Sequence, residues 1–176
     1  RKRDKTKAAE VEHAIRHFIE MNIGEDPELF ASFAKELERI LEAFAENWKK
    51  IYEELEKLRK KMAESEKQYA YGLDRRKQLP IFNLLRAELF DNRELNEDEI
   101  ALNVDLTQHL FNTIETEMHF KGFWNSKAAQ NRLVADMQAM LLSEHFKELP
   151  NMFTKYKQII SRIMEWAREN QGAFDQ

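Results

Sequence analysis

Cysteine is absent from the 176 residues. Disulfide frameworks, thiolate nucleophiles and zinc or iron–sulfur centres built on Cys are therefore excluded. Glycine is nearly absent: Gly24, Gly72, Gly122 and Gly172 lie about fifty residues apart. Neither the G-x-G-x-x-G dinucleotide turn nor the G-x-x-x-x-G-K-[ST] phosphate loop can be written with such spacing, so no nucleotide site of either kind is encoded. Uninterrupted apolar runs reach about four residues, as at Ala139 to Leu142, against roughly 20 for a membrane-spanning helix. Valine occurs only at Val11, Val104 and Val134, and no run of alternating apolar and polar residues marks a strand. Neither sign of charge dominates. Twenty-eight Lys and Arg against 32 Asp and Glu leave a net charge of −4, which argues against nucleic-acid binding by bulk positive charge but leaves local basic patches open.

What is present is helix-forming: Glu, Lys, Leu, Ala, Arg and Gln dominate, with 43% hydrophobic and 34% charged residues. The chain reads as all-α, one elongated helical domain over residues 1–176. A first helix is predicted from about Lys7 to Asn22, with Val11, Ala14, Ile15, Phe18 and Ile19 as its apolar stripe. Asp26-Pro27-Glu28 then has the signature of a helix start. The next apolar positions are Phe30, Ala34, Leu37, Leu41, Phe44, Trp48, Ile51, Leu55, Leu58 and Met62, spaced 4, 3, 4, 3 without a break. This heptad seam predicts a single helix of about 48 Å packed as a coiled-coil-like hairpin. The helical pattern ends near Tyr71-Gly72, followed by a polar connector, Asp74-Arg75-Arg76-Lys77. Pro80 opens a short helix to Phe90. Asn96 and Glu99 form a capping box for a helix to about Met118, whose seam of Ile100, Val104, Thr107, Phe111, Ile114 and Met118 offers the long helix a partner. After a loop over His119 to Trp124, Asn125 or Ser126 caps a helix with a Leu133, Val134, Met137, Met140, Leu141 stripe. Pro150 begins the last helix.

The candidate chemistry is sparse. His13 and His17 stand at i, i+4, a zinc-chelating spacing, but Ala14 occupies the place of the HExxH glutamate and no third ligand is forced nearby, so a surface His pair is the plainer reading. The carboxylates of Glu94 to Glu99 suit helix capping. The five serines lack a G-x-S-x-G elbow. Basic residues cluster at Arg1 to Lys7, at Lys57 to Lys61 and at Arg75-Arg76-Lys77. Lys60, Lys61, Arg75, Arg76 and Lys77 are the candidates for contact with a DNA backbone, set against simple solvation of helix ends. Phe123 and Trp124 fall outside any helical stripe and are candidate partner anchors, with core packing as the alternative. No catalytic, cofactor-binding or metal-binding residue emerges. The Arg1-Lys2-Arg3 start, with no signal-peptide core behind it, predicts a segment of a longer polypeptide.

Several stretches, in order, resemble the C-terminal helical region of the R subunit of type I restriction endonucleases. They are TKAAEVEHAIRHFI (Thr6 to Ile19), EDPELF (Glu25 to Phe30), the heptad around Glu46-Asn47-Trp48, FWNSKAAQNRL (Phe123 to Leu133) and LPNMF (Leu149 to Phe153). FWNSKAAQNRL is the most distinctive, and none of them is a catalytic signature. The resemblance implies a cytoplasmic parent, an ATP- and Mg²⁺-dependent, DNA-translocating endonuclease with upstream nuclease and motor domains. This region would then dock the motor onto the methyltransferase and specificity subunits and would itself cut no DNA and hydrolyse no ATP. A DNA-guiding module and a self-associating coiled-coil protein are the competing readings.

Overall fold

The computed structural model describes residues 2–66 and 70–174. Seven α-helices and three short 3-10 turns make up the regular structure of those residues, with no strand among them, so the all-α reading holds. No described helix is long and apolar enough to cross a membrane. The single-domain reading is replaced by two compact units, Arg1–Gln68 and Tyr69–Gln176. Each unit has apolar clusters of its own.

The first unit contains α1 (Lys2–Asn22), α2 (Pro27–Ala43) and α3 (Trp48–Ser65). Asp26 caps α2, its side chain accepting from the Leu29 N–H, and Pro27 follows where a missing N–H costs nothing. The long seam is broken. Phe44 ends α2, Glu46 takes a left-handed φ of 65°, and Asn47 caps α3 by accepting from the Lys50 N–H at 3.2 Å. Phe44 and Trp48 keep the heptad phase across the turn, but the chain reverses there. Within this unit α3 packs on α1 and α2. Each helix contributes four buried residues at helical spacing: Ala8, Val11, Ile15 and Ile19; Phe30, Phe33, Leu37 and Ile40; Ile51, Leu55, Leu58 and Met62. Ala14, expected in the stripe, is exposed, and Ala8, one turn before Val11, joins the buried set.

Trp48 is only partly buried, at the first turn of α3, with Lys5 Nζ 5.3 Å from its ring centroid. Trp48→Ala is accordingly expected to cost about 1–2 kcal/mol in a urea denaturation followed by circular dichroism. A loss of about 3–5 kcal/mol, the range for a fully buried aromatic, would contradict this placement.

In the second unit, α4 (Leu79–Phe90), α5 (Glu97–Met118), α6 (Lys127–Leu141) and α7 (Met152–Glu169) form a closed ring in which α4 meets α5, α5 meets α6, α6 meets α7 and α7 meets α4. Leu85, Leu89, Leu106, Leu110, Ile114, Leu133, Met137, Leu141, Ile159 and Ile163 fill its centre. The buried stripe of α5 is Asn103, Leu106, Thr107, Leu110, Phe111 and Ile114. It is thus turned from the expected seam, leaving Ile100, Val104 and Met118 half-buried. Of its two polar members, Thr107 Oγ1 donates to the Asn103 carbonyl at 2.7 Å, and Asn103 Nδ2 donates to the Phe82 carbonyl of α4 at 3.4 Å, while Asn103 Oδ1 is buried without a hydrogen-bond partner.

The capping box forms as expected. Glu99 N–H donates to Asn96 Oδ1 at 2.9 Å, and Asn96 N–H returns a bond to Glu99 Oε1 at 3.0 Å. Arg93 adds a two-pronged contact to the same carboxylate. The Arg93 guanidinium first, then the Asn96 N–H, lower the Glu99 pKa from 4.5 to about 2. A carboxylate held below its unfolded-state value stabilises the fold above that value and loses the contribution as pH falls through its folded-state pKa. The start of α5 should therefore loosen between pH 4.5 and about 2. A carbon-13 titration should place the Glu99 midpoint near 2, and Arg93→Gln should move it up. An unmoved midpoint in that variant would reject the assigned cause.

Candidate partner-docking groove

The stretch from Phe123 to Leu133 folds around one glycine. Gly122 adopts φ 84°, a left-handed conformation that a Cβ would strain, and the chain then makes a 3-10 turn over Phe123–Asn125. Ser126 caps α6, its Oγ accepting from the Ala129 N–H at 3.1 Å. Gln130, one turn into the helix, reaches back and donates to the carbonyls of Phe123 at 3.2 Å and Trp124 at 3.0 Å. The turn is thus locked from both sides, and the Trp124 ring has a fixed place. It sits edge-to-face on Phe123, with ring centroids 4.9 Å apart, and the Arg168 guanidinium of α7 lies 5.1 Å from its centroid.

Beside Trp124, α6 and α7 diverge to leave a groove of about 660 Å³. The α6 wall presents Lys127, Gln130, Asn131 and Val134, and the α7 wall presents Lys157, Ile160, Met164, Glu165 and Arg168. Val134, Ile160 and Met164 continue the apolar core outward into the groove floor. Among the described residues, no carboxylate lies within ion-pair distance of Lys127, Lys157 or Arg168. The indole Nε1 of Trp124 is buried without a hydrogen-bond partner. An apolar floor, a fixed indole and cations at the rim can hold a peptide segment.

The two expected anchors separate. Trp124 is half-buried in the groove wall, but Phe123 is 2% exposed and belongs to the core. The reading of Phe123 as a partner contact is corrected: the turn that presents Trp124 points the preceding ring inward. The basic candidates are divided between the two units. Lys60 and Lys61 are exposed on α3 in the first unit, while Arg76 is exposed and Lys77 half-buried in the second. Arg75 is 7% exposed, so its place among the backbone-contacting residues is corrected as well. The reason is the local turn: Asp74 accepts from the N–H groups of Arg76 and Lys77, both at 2.9 Å, while Leu73 and Leu79 tuck against Phe82. The supposed polar connector is an ordered, partly buried turn. Arg1 of the N-terminal basic cluster lies outside the described residues. His13 and His17 are both exposed on α1, and no group of three or more His, Asp or Glu that could hold a metal ion occurs among the described residues.

The groove cations and the α7 wall escaped sequence reading. Their signal was a second stripe on α7, Lys157, Ile160, Met164 and Arg168, running beside the fully buried one.

No protein-family model, curated protein or solved structure matches the chain.

Proposed function

We propose that this chain is the C-terminal helical assembly region of the R subunit of a type I restriction enzyme. It docks the ATP-dependent, DNA-translocating endonuclease onto the methyltransferase–specificity complex in the cytoplasm. The reading rests on one coincidence: FWNSKAAQNRL, the most distinctive stretch of the resemblance, is also the stretch that builds the groove wall, with Trp124, Lys127, Gln130 and Asn131 all lining it. In this reading the chemistry of cleavage and ATP hydrolysis, with its Mg²⁺, belongs to upstream domains, and this region acts as a rigid handle under the load of translocation. Closed helical packing suits that role, because interiors at crystal-like density transmit strain instead of absorbing it.

The test is co-elution of the purified chain with a reconstituted methyltransferase–specificity complex, with mass read by light scattering. A stoichiometric complex is expected. A folded chain that elutes alone would overturn the docking reading, and retention of duplex DNA by the same chain with a steep salt dependence would favour the DNA-guiding alternative.

A further inference from the structure

Charge at the groove is the reverse of charge on the chain. The molecule carries a net −4, yet the groove is lined by Lys127, Lys157 and Arg168 and by a single carboxylate, Glu165 of the α7 wall. All three cations are exposed, in helix walls whose backbones are fixed by the α6–α7 packing. Between them lies the apolar floor of Val134, Ile160 and Met164.

We infer that this groove seats an acidic, amphipathic segment of a partner protein, with apolar side chains on the floor and carboxylates meeting Lys127, Lys157 and Arg168. The inference rests on the docking reading above and specifies the chemistry of its partner. An amphipathic helix laid into a groove presents apolar residues at i, i+3, i+4 and i+7, flanked by polar ones, which is the pattern this floor and rim complement. A nucleic-acid strand fits less well. Single strands bind mainly by stacking bases on open aromatic faces, and the one aromatic in the wall, Trp124, is covered by Phe123 at its edge and by Arg168 over its ring. Glu165 in the lining would repel a phosphate backbone, and an apolar floor offers a phosphate nothing. Apolar burial would supply most of the affinity, and the rim charges would set orientation and partner choice.

Three probes test this against the whole chain: a helical peptide of about 18 residues with Leu on one face and Glu on the other, the same peptide with Lys for Glu, and an oligothymidylate of about 15 nucleotides. Binding is read by fluorescence anisotropy and by movement of the Trp124 indole resonance. The acidic peptide is expected to bind and to shift Trp124. In a Lys127→Glu/Lys157→Glu variant, both changes being at exposed positions, the acidic peptide should bind at least about tenfold more weakly and the basic one should gain. A simple loss of structure could not produce that exchange of preference. Binding of the oligothymidylate in preference to the acidic peptide, no binding of the acidic peptide, or equal affinity in the charge-reversed variant would each overturn the proposal.

Co-elution with the methyltransferase–specificity complex, run on both forms, separates the two readings. If the wild-type chain and the variant co-elute alike, docking stands and the groove is not its site. If the peptide binds but neither form co-elutes, the groove chemistry stands and the restriction-enzyme reading falls.

Discussion

Phe30→Ala should lower the melting temperature of the first helical unit by about 12–40 °C. Phe30 is fully buried in α2 and touches Phe18 of α1 and Phe33 of its own helix, with ring centroids at 5.9 and 5.5 Å. Truncating a buried Phe removes its transfer free energy and leaves a cavity, together about 3–5 kcal/mol. In a domain of this size each kcal/mol moves the midpoint by about 4–8 °C. The loss is large because the unit is small: three helices with four buried residues each leave little reserve. Phe30→Leu, which keeps most of the volume, should cost about 1 kcal/mol. Thermal unfolding by circular dichroism measures the shift, and hydrogen exchange should place the loss of protection in the amides of α1 to α3. A Phe30→Ala protein that melts like the parent would mean that α1, α2 and α3 do not share one core.

The helices were legible in the sequence because their apolar residues recur at 3 and 4 and their caps are explicit. Asp26-Pro27, Asn96 with Glu99, and Ser126 all cap where expected. The reversal at Phe44 to Asn47 was not legible. It uses neither Gly nor Pro, places a glutamate at positive φ, and spans a number of residues that keeps the heptad in phase. Periodicity therefore ran through a turn undetected, and only Asn47, a good N-cap residue inside an apparent helix, marked the break. The same blindness hid the first unit, in which the seam of α3 packs on α1 and α2. At the groove, sequence reading found the aromatic pair but not which ring faces inward, because that depends on a turn set by Gly122 and Gln130. Arg75 was misjudged for a similar reason: the stretch has the composition of a solvated loop, but it folds into a turn closed by Asp74 in which Arg75 is 7% exposed.

Glu88→Ala should destabilise the second unit by about 2–3 kcal/mol, the largest effect expected there from a polar side chain. Glu88 lies on α4 with its side chain 7% exposed, and it joins that helix to α7. Its Oε1 accepts from Gln158 Nε2 and from Arg162 Nη1, each at 2.9 Å, and Lys155 Nζ stands 3.9 Å from Oε2. Removing one partner of a buried pair costs about 3–5 kcal/mol when the survivor has no route to water. Arg162 and Lys155 keep 29% and 39% of their side-chain exposure, so part of that penalty is relieved by solvent. The cost should come mainly from the lost tie between helices, not from a stranded cation. Two companion variants separate these contributions. Glu88→Gln keeps the acceptor but not the charge and should recover about half the loss, because a hydrogen bond to a neutral group is worth less than one to a carboxylate. Glu88→Leu combined with Arg162→Met replaces the pair with apolar volume, and an ion pair replaced in this way is often neutral or better. A double-mutant cycle over Glu88 and Arg162 should return a coupling of about 1–2 kcal/mol in chemical denaturation. A coupling near zero would assign the effect of Glu88→Ala to packing of the side chain alone. The α4–α7 contact also bears on the groove: α7 supplies Lys157, Met164 and Arg168 to one wall, and Gln158 and Arg162 on the same helix hold it against α4. Loosening that tie should therefore weaken binding of the acidic peptide in Glu88→Ala, although Glu88 does not line the groove.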